Sequence, residues 1–405
     1  MRYSAVLKSA LPYATIALSV WLAWQVVREP VVQRAPPEIA LRIAPTSPTA
    51  LQRAAELEFR ANRVDNADIL AKTSLAAAPF NVHALRTVGL VAARRGNADT
   101  ADQLVTLAGN WSLRDNAAHG WLVEHRLKSG DYNSSFSHAD TLARRREEIR
   151  PQIYRLFSTA ALADQRALSA LVNRLAERPP WRTDYIETLK GDLNRIDLLA
   201  SLVVGLERTD GRFTDDELGS VYLAWLAKGQ GPAVRIFRER LNRPAVSGPI
   251  FDAGFSNTGK VAPFIWMLGS GVGISTAITR DDLSPENSAL RVDYDGFSLG
   301  TAVSQLLLLT PGSYKFDGRV RQDFGGGDPR MKWELICVES GSLLSTQGLT
   351  SKTIDTTWRP FDFTVEIPAR NCTTQWLRLQ TIPGNRRDQR IVWFDDLRAT
   401  PLRRD

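Results

Sequence analysis

The sequence predicts a multidomain α plus β protein: an N-terminal transmembrane helix, an α-helical solenoid, and a C-terminal β-sandwich of jelly-roll type. Three observations carry this expectation. Residues 10–27 contain no charged side chain. Small and apolar residues recur with a 34-residue period through the region after residue 51. Beyond residue 248, short apolar runs alternate with turn clusters. The implied boundaries are 1–28 for a membrane anchor, 29–50 for a Pro-rich linker, 51–242 for helical repeats and 248–401 for the sandwich.

Composition limits the alternatives. A chain of 405 residues has room for two or three cores, and 43% hydrophobic with 23% charged residues excludes wholesale disorder. The formal charge is +7, yet residues 250–405 hold 18 Lys+Arg and 18 Asp+Glu, so the whole excess lies upstream. No block of Lys and Arg and no zinc-finger spacing occurs. Nucleic acid is therefore not an expected partner.

The uncharged run "ALPYATIALSVWLAWQVV" is 18 residues long. At about 1.5 Å per residue it just reaches across a hydrocarbon core. Tyr13, Trp21 and Trp24 lie toward its ends, where amphipathic rings favour the interface. Arg2 and Lys8 precede it, although Arg28, Arg34 and Arg42 follow. The expected partner here is a membrane. The expected placement is a single-pass inner-membrane protein with the bulk of the chain periplasmic. A cleaved signal peptide is the rival reading, without a small-x-small site to support it. Residues 28–50 are rich in Pro and non-periodic, as an extended linker would be.

Between 51 and 242, good helix formers carry apolar residues three and four apart. Ala55, Gly89 and Val123 align at the 34-residue period, as do Ala67, Ala101 and Ser135, and Ser74, Ala108 and Leu142. Asn62, Gly96 and Gly130 fall at the turn between paired helices. Small residues at these points let antiparallel helices approach, and stacked pairs bury a continuous core. This pattern resembles tetratricopeptide repeats. The resemblance implies a surface for a protein partner and identifies no groove residue.

The C-terminal runs are "SALRVDY", "AVSQLLLL", "YKFDGRVR", "MKWELICV", "RPFDFTVEI", "QWLRLQTI" and "IVWFDDL". So many short strands in about 150 residues imply a sandwich or jelly roll. "IFDAGFSNTG…FIW", "ENSALRVDYDG", "VSQLLLLTPGSYKFDGRVR", "WRPFDFTVEIP" and "IVWFDDL" also follow one another as in jelly-roll carbohydrate-binding modules. This second resemblance spans residues 248–400 and implies a glycan ligand. Such modules often bind a structural calcium through an acid just after the opening Phe. Here Ser256 follows Phe255, so no cofactor or metal is carried over.

Alternation along the strands selects candidate glycan contacts. Arg319 and Arg321 face away from Phe316 and Val320. Trp376, Arg378 and Gln380 face away from Leu377 and Leu379. Trp393 and Asp395 face away from Val392 and Phe394. If these strands shared a sheet, one face would present Trp, Arg, Gln and Asp together: rings for the C–H faces of a sugar, polar groups for its hydroxyls. In the other reading, the two Trp rings cover a sandwich edge or meet the helical domain.

No catalytic residue is expected. Asp395 and Asp396 are adjacent on a strand and would point to opposite faces, whereas glycoside hydrolysis needs two carboxylates across one cleft. "GSGVGIS" (269–275) lacks the strand-to-helix setting of a dinucleotide site and reads as a Gly-rich loop. Cys337 and Cys372 are the only cysteines and form no CxxC pair, and His83, His119, His125 and His138 lie far upstream. They are either one disulfide or two buried thiols.

The expectation is an anchored, non-enzymatic adaptor. Its repeats would engage a protein and its sandwich possibly a polysaccharide, in envelope polysaccharide or exopolysaccharide assembly or export. The alternatives are a polysaccharide-acting enzyme and a purely structural protein.

Overall fold

The computed structural model describes residues 3–243, 248–256, 259–324, 327–349 and 356–402; the side chains of residues 3–14 and 25 lie outside this description. The chain divides into two compact units, Met1–Arg174 with Pro179–Trp181, and Leu175–Arg178 with Arg182–Asp405.

The first unit opens with α1 (Tyr3–Arg34) and α2 (Pro37–Ile43). The expected anchor and linker are both corrected here. Among the described residues no helix is long and apolar enough to cross a membrane, which removes the single-pass inner-membrane placement, its periplasmic corollary and membrane attachment through α1. Residues 10–27 belong to a helix that runs on through Arg28 and Glu29 to Arg34. Its end is packed: Val32 is buried with Ala40, Ala44 and Ala50, and the Arg53 guanidinium donates to the Val32 carbonyl. Two of the prolines that suggested a linker start helices instead. Pro37 and Pro48 occupy first-turn positions, where a missing N–H costs nothing.

The helix pairs that follow keep a strict period. They are α3 (Pro48–Arg60) and α4 (Val64–Ala77), α5 (Val82–Arg94) and α6 (Ala98–Trp111), and α7 (Asn116–Lys128) and α8 (Tyr132–Arg145). Starts at 48, 82 and 116, and at 64, 98 and 132, lie 34 residues apart. The caps follow the same period. Ser47, Asn81 and Asp115 accept from the backbone N–H three residues on, as Asn97 and Asp131 do for the second helices. Asn62, Gly96 and Gly130 all take the left-handed conformation, with φ of 61°, 80° and 75°. Close approach is real at Gly89, where an added Cβ would lie 2.7 Å from Val105 Cγ2. The remaining helices of this unit are α9 (Arg150–Ala163) and α10 (Gln165–Ala176), whose last turn passes into the second unit.

One polar pair inside the repeats titrates. His119 on α7 and His138 on α8 place their Nδ1 atoms 3.0 Å apart, so only one of the two nitrogens can carry a proton. Burial, and then the neighbouring His119, hold His138 down at about 4, and burial also lowers His119. Arg126 and Arg145 act in the same direction, against Asp102, Asp115 and Asp131. A folded value below the ordinary 6.5 means the contribution is complete above pH 6.5 and is lost as pH falls toward 4. Allowing for partial exposure of His138, the loss is about 1–2 kcal/mol. Urea unfolding at about pH 7.5 and about pH 4.5 should show it, with a shallower dependence in His138→Gln. Identical pH dependence in variant and parent would contradict the assignment.

The second unit contains α11 (Arg182–Gly191), α12 (Ile196–Leu206), α13 (Asp215–Leu226) and α14 (Gly231–Leu241), followed by the strands. The expected helical domain over 51–242 is thus cut near residue 180, and its last helices pack with the sandwich. Tyr222 on α13 meets Phe264 edge-on at 5.1 Å. Arg235 on α14 donates to the carbonyls of Thr373 at 2.6 Å and Leu309 at 2.9 Å. A Cβ at Gly231 would lie 2.2 Å from Thr374 Oγ1 and 2.3 Å from Glu339 Oε1, so any larger residue at this helix start has to displace those side chains.

The strands are β1 (Met267–Leu268), β2 (Ile274–Asp281), β3 (Ser284–Tyr294), β4 (Thr301–Leu307), β5 (Gly312–Phe324), β6 (Met331–Cys337), β7 (Leu343–Gly348), β8 (Arg359–Ile367), β9 (Gln375–Thr381) and β10 (Arg390–Pro401). They form two antiparallel sheets of order β1-β4-β9-β6-β7 and β2-β3-β10-β5-β8. Inward residues of both sheets build one core, where Trp333 of β6 meets Phe394 of β10 edge-on at 5.5 Å. Cys337, at the end of β6, is bonded to Cys372, just before β9, with Cα atoms 4.9 Å apart. The disulfide alternative is the one the fold contains.

Candidate functional site

The candidate glycan contacts do not share a sheet. β9 carries Trp376, Arg378 and Gln380 on the first sheet; β5 and β10 carry Arg319, Arg321, Trp393 and Asp395 on the second. The single combined face expected from alternation is corrected to two separate outer faces, and they differ in kind.

The outer face of the second sheet is filled by its own side chains. Trp393 is 2% exposed, and its indole N–H donates to Asp323 at 2.7 Å. The register sets Arg291 and Arg321 on either side of it. The Arg321 guanidinium lies 4.6 Å from the ring centroid and that of Arg291 5.6 Å. Arg321 is itself buried, bonded to Asp281 at 3.0 Å, to Asp323 at 2.9 Å and to Asp282. Trp358 completes the layer, its N–H donating to Asp281 at 3.0 Å beside the Arg319 and Arg321 guanidinium groups. The alternation of β10 is as expected, but its outward Trp is covered. Trp393 is not a platform for a ligand.

Asp395 is also buried; it accepts from Asn287 at 2.8 Å and Arg319 at 2.7 Å, and burial raises its carboxyl above the ordinary carboxylate range. A β-bulge follows it, with Asp396 at φ 53°. The bulge overrides simple alternation. Arg319 Nη2 reaches Asp396 at 2.8 Å as well, so one guanidinium clamps both acids.

The outer face of the first sheet is different. Three cross-strand rows run over its centre: Ser304–Arg378–Glu334–Thr346, Leu306–Trp376–Ile336, and Thr301–Gln380–Lys332–Gly348. Trp376, Arg378, Gln380, Lys332 and Glu334 are all partly exposed. The Arg378 guanidinium sits 5.4 Å from the Trp376 ring centroid. Burial pulls it below the usual guanidinium range, and Glu334 opposes that shift. Lys332 bonds Glu334 at 2.6 Å, and Gln380 donates to Thr301 Oγ1 at 2.8 Å. At the Leu306 end the face is closed: Leu306 points outward yet is 3% exposed, beside a cavity of about 130 Å³ that Phe264 and Arg238 also line. The open part is therefore a planar strip with a Trp–Arg pair at one end and amide, ammonium and carboxylate groups beside it.

Lys332, Glu334, Ser304 and Thr346 were not among the expected contacts. The signal for Lys332 and Glu334 was present in "MKWELICV", whose polar residues alternate with Met331, Trp333 and Leu335, but nothing local pairs β6 with β9. The Gly-rich loop at 269–275 closes a turn into β2. Gly273 has φ 77°, and a Cβ there would lie 2.2 Å from Asp295 Oδ2. Among the described residues no cluster of three or more His, Cys, Asp or Glu could hold a metal ion.

No protein-family model matches the chain, and no curated protein matches it. Among solved structures, a CBM4 carbohydrate-binding module is similar over 39% of this chain and 99% of its own, at 14% identity and TM-score 0.29. The CBM22-1 xylan-binding domain of Paenibacillus barcinonensis Xyn10C is similar over 35% of this chain and 87% of its own, at 11% identity and TM-score 0.27. TmCBM61, solved with β-1,4-galactotriose, is similar over 38% of this chain and all of its own, at 14% identity and TM-score 0.26.

Proposed function

We propose that the protein binds a polysaccharide along the outer face of the β4–β9–β6 sheet. The observation that carries this reading is the partly exposed Trp376 ring set beside Arg378, Gln380, Lys332 and Glu334 on rigid, paired strands. An aromatic face takes the C–H side of a pyranose, and the flanking donors and acceptors take its hydroxyls. Binding without cleavage is the activity proposed. Asp395 and Asp396, the adjacent acids of β10, are both engaged by Arg319 on the other sheet.

The first unit adds a second element, a protein-docking surface on the helical repeats. Phe80 is 80% exposed and touches Trp111 at 5.6 Å, with Leu113 62% exposed nearby in sequence. Together the two surfaces describe an adaptor between a protein and a glycan, suited to polysaccharide assembly or export.

Affinity electrophoresis of the full chain through gels containing soluble plant and bacterial polysaccharides tests the reading. Trp376→Ala should weaken retention about tenfold or more, while its unfolding free energy stays within about 1 kcal/mol of the parent. Retention unchanged by Trp376→Ala would remove this face from consideration.

A further inference from the structure

We infer that the polysaccharide taken by this face is acidic, carrying carboxylates along its chain, and that the Arg378 guanidinium receives them. This rests on the glycan-binding reading above and narrows its ligand class.

The starting point is an unfilled donor set. A guanidinium offers five N–H donors in a rigid fork. Among the described residues, those of Arg378 meet no hydrogen-bond acceptor and no carboxylate within ion-pair distance, although the side chain is half-buried in the middle of a sheet. Two of the neighbours that could have served are committed elsewhere. Glu334, directly opposite in register, is bonded to Lys332 at 2.6 Å. Gln380, two residues along β9, gives its amide to Thr301.

The contrast with the second sheet is direct. There Arg291 is paired with Asp293, Arg319 with Asp395, and Arg321 with Asp281, at 2.8, 2.7 and 3.0 Å. The chain supplies a carboxylate to each of those guanidinium groups and withholds one from Arg378. Charge counts in the same direction, because Arg378 and Lys332 face one acid, Glu334, and leave the strip with a net positive charge.

The shape of the donor set selects the ligand. Two parallel N–H groups match the two oxygens of a carboxylate in geometry and in charge, whereas a pair of sugar hydroxyls offers acceptors without the charge. The Arg378 guanidinium lies over the Trp376 ring, which restrains the fork, so the pyranose that bears the acid would pack against the stacked pair. A uronic acid residue presents both features at the required proximity.

The test compares one polymer in two charge states. The full chain is titrated calorimetrically with polygalacturonate, with its methyl ester, and with alginate as a second polyuronate, at about 50 and about 500 mM NaCl. A polyuronate should bind about tenfold or more tightly than the ester, and the preference should shrink at high salt. Arg378→Gln should abolish the preference, so that polyuronate and ester bind this variant equally; Arg378→Lys, which keeps charge but loses the fork, should recover only part of it. Thermal unfolding of each variant confirms that the sandwich is intact. Equal affinity for acid and ester, or a preference that survives in Arg378→Gln, overturns the inference. Binding confined to neutral xylan or galactan overturns it too, while the glycan-binding reading stands. Failure to bind any of these polymers overturns both.

Discussion

Trp393→Ala is expected to destabilise the second unit by about 3–5 kcal/mol, the range for emptying a large buried aromatic site. The ring is 2% exposed, its N–H is bonded to Asp323, and Arg321 lies against its face. Removing it opens a void and also strips Arg321, buried among Asp281, Asp282 and Asp323, of one wall of its site. Trp393→Phe separates the two effects. It keeps a ring for the guanidinium and loses the indole N–H, at a cost of about 1–2 kcal/mol for the lost hydrogen bond and the smaller volume, since Asp323 keeps Arg321 as a partner. Phe394→Ala, in the sandwich core one residue on, is the reference for a large loss. Denaturant midpoints measured by fluorescence or circular dichroism decide the matter. A Trp393→Ala protein as stable as the parent would mean that the layer over this sheet is not closed.

Arg86→Ala is expected to cost a similar amount in the first unit, about 3–5 kcal/mol. Arg86 is 6% exposed and reaches from α5 to Glu56 on α3 and to both oxygens of Asp115, at 2.6 Å, ahead of α7. Asp115 is 2% exposed and also caps α7 through the Ala118 N–H at 3.1 Å. One guanidinium thus ties three successive repeats together. Its removal leaves a buried carboxylate without a counter-charge, and that uncompensated charge is the main cost. Adding Asp115→Asn should recover much of the loss, because the amide oxygen still caps the helix and carries no charge. Urea unfolding of the single and double variants tests this. A double variant no more stable than Arg86→Ala alone would show that the cost lies in lost packing instead.

The repeats were legible because their determinants are local. Asn62, Gly96 and Gly130 must take positive φ where one helix turns into the next, and small residues at Gly89 and Ala101 are needed wherever two backbones approach. Alternation in β9 and β10 was legible for the same reason, since adjacent side chains on a strand point to opposite sides. Facing outward is not the same as being exposed, however. Trp393 is covered by arginines from β3 and β5, groups distant in sequence, and no periodicity within β10 reports them. The pairing of β9 with β4 and β6, and of β10 with β3 and β5, is likewise a long-range choice. It placed Trp376 and Trp393 on different sheets. The prolines at 37 and 48 misled for a further reason: proline disrupts the middle of a helix and suits its first turn, and composition alone cannot tell the two apart.

The close seating of α14 on the sandwich bears on how this domain could travel between proteins. A sandwich that packed against nothing else could be cut out at the ends of its first and last strands. Here a cut near residue 248 would leave Phe264 without Tyr222 and the Thr373 and Leu309 carbonyls without Arg235. It would also open the close contact of Gly231 with the Thr374 and Glu339 side chains. The heritable segment is therefore the stretch from about residue 182 onward, helices included, and a gene fusion that respects only the strand boundaries would inherit a sandwich with one flank stripped bare.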